Sequence, residues 1–203
     1  MEEPIEVIDT TNIKNVLAKS EFLDAAENSS EIIKMINSKK PVLFTANLSS
    51  WADNSILEFV ANAVKAGKVL FISDIMPEDI RLLNNFSAFG NSLECFYSSG
   101  AAGASIHYIL KKSELESELF EKIVLDKTCS AIVPSLSMLK IKDAQSVVHS
   151  VSIKNDELQA GVDLQIMEYG KGKIIFSTLN FEGLDTYALT NSLFMKIIKL
   201  ATE

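Results

Sequence analysis

The side chains able to do chemistry in this 203-residue sequence are few: two histidines, two cysteines, one tryptophan, and acids and amides that follow apolar runs. His107 and His149 stand far apart, without the H-x-x-x-H or H-E-x-x-H spacing that sets two imidazoles on one helix face. Neither Cys95 nor Cys129 lies near a histidine. No metal centre and no cofactor are therefore expected. His149, inside Val147-Val148-His149-Ser150-Val151, reads as a hydrogen-bonded structural histidine on a strand. The two cysteines form no C-x-x-C pair and no scaffold, so they read as buried, reduced thiols, and the compartment stays open.

Three places follow strands and could hold a ligand. Asp74, Glu78 and Asp79 come just after the run Lys68 to Ser73, and open α/β sheets place ligands at the carboxyl ends of their strands. The same acids also suit the first turn of a helix, Pro77 to Leu83, where negative charge complements the macrodipole. Asn47 and Trp51 follow the run Pro41 to Ala46. The indole there can stack on a sugar or cover the end of the core. The third place is the small-residue run from Ser98 and Ser99 to Ser105, whose backbone N–H groups could approach an anion. It contains neither G-x-G-x-x-G nor G-x-x-x-x-G-K-[ST], so a surface loop and a ligand-facing or partner-facing loop both stay open.

The elements that must position these residues read as alternating α/β. Pro41 to Ala46 and Lys68 to Ser73 are continuous apolar strands of the kind buried on both faces of a parallel sheet. Between them Asp53 can cap a helix with Ile56, Leu57, Val60, Ala63 and Val64 inward, stopped at Gly67. Further strands are expected at Ile5 to Ile8, Leu93 to Tyr97, Ser130 to Val133, Ser146 to Ile153, Val162 to Tyr169 and Lys173 to Ser177. Helices are expected at Asn12 to Phe22, Glu31 to Asn37, Glu114 to Ile123 and Thr186 to Ala201. Gly170-Lys171-Gly172 marks a hairpin turn. No linker or repeat divides residues 1–203, which read as one α/β domain with a mostly parallel central sheet and a C-terminal antiparallel meander.

Composition narrows the partners. Lys and Arg number 19 against 27 Asp and Glu, a net charge of -8, which disfavours a nucleic-acid or anionic membrane surface. The apolar runs fall far short of the about 18 to 20 residues of a membrane-spanning helix. The start, Met1-Glu2-Glu3-Pro4, has the form of no signal peptide. With 47% hydrophobic residues the chain can bury a full core and is expected to be soluble, its location left open.

The order of elements and the close of the chain carry a family likeness. Tyr169-Gly170-Lys171-Gly172-Lys173-Ile174-Ile175-Phe176-Ser177, a short loop and a final helix with Asn191-Ser192-Leu193-Phe194 resemble the class I glutamine amidotransferase-like fold. The likeness covers most of the chain. It is nearest to the non-catalytic versions of that domain inside large β-galactosidase-like glycoside hydrolases, and it implies a three-layer, flavodoxin-like architecture. Active members carry a nucleophile elbow, G-x-C-x-G, at the end of a central strand. The matching stretch is Phe71-Ile72-Ser73-Asp74-Ile75, with bulky residues at both glycine positions and Ser73 in the nucleophile's place. The family's H-P-E element falls near Asn180-Phe181-Glu182, where Asn180 cannot act as a general base and only the acid Glu182 remains.

Three functions follow as expectations. The first is a non-catalytic structural, interface or oligomerisation module of a carbohydrate-active enzyme, partnered by other domains of a parent chain or by copies of itself; it should expose a large apolar patch. The second is a small-molecule module for a sugar or an anionic metabolite, using Asn47, Trp51, Asp74, Ser98 and Ser99. The third is a stand-alone hydrolase in which Ser73, Asp74 and Glu182 converge.

Overall fold

The computed structural model describes residues 10–84, 93–97, 106–109, 137–154, 157–181 and 188–202. In chain order the helices are α1 (Thr10–Lys19), α2 (Ser29–Ile36), α3 (Asn54–Lys65), α4 (Pro77–Asn84) and α5 (Ala188–Thr202). The strands are β1 (Ser20–Phe22), β2 (Val42–Thr45), β3 (Val69–Ile72), β4 (Leu93–Tyr97), β5 (Ile106–Ile109), β6 (Ser137–Ile141), β7 (Gln145–Lys154), β8 (Glu157–Tyr169) and β9 (Gly172–Ser177). One sheet runs β1-β2-β3-β9-β8-β6-β4, with β7 against β8 and β5 against β7. The first four of these are parallel and the rest pair antiparallel. The architecture is a three-layer, flavodoxin-like α/β fold.

Strand alternation divides the core in two. Leu43, Leu70, Ile72, Ile174 and Phe176 face α2, α3 and α4, while Val42, Phe44, Val69, Phe71 and Ile175 face α1 and α5. Both faces are covered, which is why these strands read as unbroken apolar runs. Asn28 caps α2, its Oδ1 accepting from Ser30 N and Glu31 N, and Asp53 caps α3 by accepting from Ile56 N at 2.8 Å. Lys68 ties the approach to β2 from below, its Nζ donating to Ser38 O at 2.8 Å and Lys40 O at 2.6 Å.

The Gly170-Lys171-Gly172 turn is pressed against the end of α3. Lys171 N donates to Lys65 O at 3.0 Å, and Lys65 Nζ lies 5.3 Å from the centre of the Tyr169 ring. Gly170 is left-handed at φ +67, and a Cβ on Gly172 would fall onto the Val64 and Lys68 carbonyls. The glycines are thus set by backbone contact as well as by the turn.

Several expectations need correction. The first helix stops at Lys19, because Ser20–Phe22 is drawn out as an edge strand against Val42–Phe44, with the Phe22 ring edge-on to Phe44 at 5.4 Å. The strand expected at Leu93 to Tyr97 is present as β4 and pairs with β6 in the antiparallel part, while β9 lies beside β3. Strands β5 and β6 were not anticipated, and β8 begins five residues' worth of ladder earlier than Val162, at Glu157. The expected elements at Ile5 to Ile8, Glu114 to Ile123 and Ser130 to Val133 lie outside the described residues, as does Cys129. Cys95 is a half-buried cysteine on β4, outside any disulfide. No large apolar patch is formed by the described residues: Leu17 on α1 (53% exposed) and Phe59 on α3 (51%) are their exposed large hydrophobics, on opposite sides of the sheet. No described helix is long and apolar enough to cross a membrane.

Candidate functional site

A cleft of about 600 Å³ opens at the carboxyl ends of β2, β3 and β9. The β2 end contributes Ala46, Asn47 and Ser49, and the residues after β9 contribute Asn180. The β3–α4 connection contributes Asp74 and Met76, and α4 itself Glu78, Asp79 and Leu82.

Asp24, in the short turn after β1, fixes the β2 rim. Its carboxylate accepts from Ala46 N at 2.6 Å, from Thr45 Oγ1 at 2.6 Å and from Asn47 N at 3.4 Å. Trp51 belongs to the same network. Its Nε1–H donates to Thr45 Oγ1 at 2.9 Å and its ring packs on the α2–α3–α4 core, so it does not line the cleft.

The β3 end bends sharply. Ser73 N still bonds Thr45 O at 2.9 Å, but Asp74 turns left-handed at φ 53, held by Asp74 N to Leu179 O and Ile75 N to Ser177 O at 3.1 and 3.0 Å. The elbow-like backbone therefore sits at Asp74, one residue beyond the position assigned to Ser73. Ser73 is only 2% exposed and continues the Val69–Phe71 side of the strand, away from α4. Its Oγ has no hydrogen-bond partner among the described residues.

Pro77 then opens α4, and Asp79 closes its first turn by accepting from Met76 N at 2.9 Å, the reciprocal half of a capping box. Burial pushes the Asp79 carboxyl above its ordinary value; the Met76 N–H opposes this and the neighbouring Glu78 charge adds to it. A carboxyl with a raised folded value binds its proton before the unfolded chain does. Stability should therefore rise as pH falls through that value towards about 3.9. Asp79→Asn, which keeps an acceptor for Met76 N, should lack this rise; urea titrations of both proteins across the acid range would show it. Glu78 pairs with Arg81 at 3.0 Å, both exposed, which adds little stability.

The structure thus brings together Asn47, Asp74, Glu78, Asp79 and Asn180 from the residues singled out in the sequence. It places Trp51 and Ser73 elsewhere, while Glu182, Ser98 and Ser99 lie outside the described residues. Met76 and Leu82 were not anticipated, since apolar wall residues carry no chemical signal in a sequence. His149 sits on β7 opposite Tyr108 and Val162, its imidazole pushed below its ordinary value by burial, with Asp163 acting in the opposite sense. No group of three or more metal-ligating side chains is gathered among the described residues.

Fold and cleft together define a three-layer α/β domain with a polar cavity at the carboxyl ends of its parallel strands. No protein-family model matches the sequence, and no curated protein matches it. Among solved structures, a beta-galactosidase from Bacillus circulans sp. alkalophilus matches with a TM-score of 0.50 and 12% identity, over 83% of this chain and 23% of that one. A beta-galactosidase from Rahnella sp. R3 gives 0.47 and 11%, over 79% and 23%. A cytoplasmic protein of Salmonella typhimurium gives 0.49 and 12%, over 88% and 77%. The chain spans less than a quarter of the two beta-galactosidases, and at these identities the likeness is one of fold.

Proposed function

We propose that this chain is a non-catalytic, amidotransferase-like module, one folded unit over residues 1–203, that serves as a structural, interface or oligomerisation part of a glycoside hydrolase. The fold shared with a segment of the Bacillus circulans beta-galactosidase supports the setting. The observation that carries the reading is the elbow. Its left-handed residue is Asp74, flanked two residues away by Ile72 and Met76 where close backbone approach would want glycine, and the adjacent serine is buried on the other side of the strand. The large exposed apolar patch expected of such a module is not formed by the described residues, which counts against this reading.

Two measurements test it. An antibody raised to this domain should detect, in the source organism, a band much larger than 22.3 kDa; a band at that mass overturns the embedded-module reading. Ser73→Ala removes a buried hydroxyl without a described partner, so stability should stay level or rise by up to about 1 kcal/mol. Labelling of the wild type, but not of this variant, by a serine-reactive fluorophosphonate would instead make Ser73 a nucleophile.

A further inference from the structure

We infer that the cleft between β2, β3, β9 and α4 binds a small, uncharged, hydroxyl-rich molecule of monosaccharide to disaccharide size. The inference goes beyond the module reading and does not depend on it, since a stand-alone protein would have the same cavity.

Size comes first. About 600 Å³ lies within the range of about 300 to 1,000 Å³ common for small-molecule clefts, and the position is where open α/β sheets place their ligands. Charge comes second. Among the described residues no lysine, arginine or histidine lines the cavity, so an anion there would meet carboxylates without a compensating cation, which argues against an anionic metabolite. Two of the three carboxylates, Glu78 and Asp79 but not Asp74, in turn offer less to a cation than their number suggests. Glu78 Oε1 accepts from Arg81 Nη2, and Asp79 Oδ2 from Met76 N, with burial holding the Asp79 carboxyl closer to its neutral form than an exposed acid.

Hydrogen-bonding capacity comes third. Asn47 and Asn180 stand on opposite strands' ends, and each amide carries both a donor and an acceptor. Asn47 Oδ1 accepts from Ser49 Oγ at 3.0 Å, which turns that hydroxyl's acceptor lone pairs and the amide N–H₂ towards other partners. A ligand hydroxyl is likewise donor and acceptor at once, and it matches such groups better than an ion of either sign does. Met76 and Leu82 supply apolar surface for the C–H face of a ring.

The test is a titration of the ¹⁵N-labelled full chain followed by amide chemical shifts. D-glucose and myo-inositol are the neutral probes, putrescine the cation and inorganic phosphate the anion. At least one neutral probe should move the amides of Asn47, Ser49, Met76 and Asn180 saturably in the millimolar range, while phosphate leaves them in place. Asn47→Ala with Asn180→Ala should weaken binding by about tenfold or more with the dispersed spectrum retained. Should that pair fail to fold, Asn47→Ala alone, at an exposed turn position, carries the comparison. Movement of these amides by putrescine alone or phosphate alone overturns the ligand class, and no movement with either neutral probe overturns the site. The blot for the parent enzyme is unaffected by any of these results, so the two readings fail separately.

Discussion

Gly172→Ala is expected to destabilise this protein strongly through a single added methyl. The new Cβ would be driven onto the carbonyl oxygens of Val64 and Lys68, at the last turn of α3 and the entry to β3. Neither atom can rotate away, because both are backbone: Val64 O accepts from Gly67 N, and Lys68 O from Lys173 N. Relief requires the hairpin to lift off the helix, which would also break Lys171 N to Lys65 O and disturb the first rungs of β9 against β3. Overpacking usually costs about 1 to 3 kcal/mol where side chains can yield; against backbone the loss should reach about 3 kcal/mol or more. Against the about 5 to 15 kcal/mol by which domains are ordinarily stable, that is enough to lower yield and shift a urea midpoint markedly. Lys171→Ala is the control, since its exposed side chain sits in the same turn and only its backbone is used; a change within about 0.5 kcal/mol is expected. Equal midpoints for Gly172→Ala and the wild type would show that the hairpin does not press on α3 as described.

The second large effect is expected at Phe71. Its ring stacks on Phe194 of α5 at 5.2 Å and 13°, and meets Phe44 and Phe181 edge-on at 5.4 and 5.2 Å. It is fully buried in the layer between the parallel strands and α1 and α5. Phe71→Ala removes the centre of that cluster and leaves a void bounded by rings on separate elements, which cannot collapse together. A loss of about 3 to 5 kcal/mol is expected by chemical denaturation. Phe71→Leu, which keeps most of the volume, should lose about 1.5 kcal/mol or less. Because Phe71 and Phe194 share their stacking, the double alanine variant should fall short of the sum of the singles by about 0.5 kcal/mol or more. Strict additivity would mean that α5 is not seated on β3.

What could be read without coordinates follows from how local each signal is. β2 and β3 were legible because burial on both faces writes a continuous apolar run, and α3 because Asp53 and its apolar spacing lie within one segment. β1 was hidden by its length: Ser20-Glu21-Phe22 is too short to show a period of two, and the helical spacing of α1 reads through it. The first half of β8 contains Ala160-Gly161, residues with little strand preference, whose extension is imposed by pairing with β7. In the cleft, Asn47 and Asp74 were found because each follows an apolar strand, whereas Asn180 entered only through the family likeness, in the place of a histidine. Trp51 was left ambiguous because its partner chain, Thr45 to Asp24, reaches back across β2 and α2 to the turn after β1. The elbow was set one residue early because φ is not written in side-chain types; Asp and Ser look alike until the bonds that Asp74 N and Ile75 N donate to Leu179 O and Ser177 O fix which of them turns left-handed.

The place of β9 in the sheet has a consequence for biosynthesis. Val69 to Ile72 finds one neighbour in β2, which is made before it, and the other in Lys173 to Phe176, made long after it. Until those residues leave the ribosome, the apolar edge of β3 has no partner on that side, and α5 is not yet there to cover Phe71. A nascent or truncated chain ending before β9 would present a sticky strand edge in the middle of its own core, the kind of surface that invites mispairing and chaperone capture. The fold closes late and from its centre.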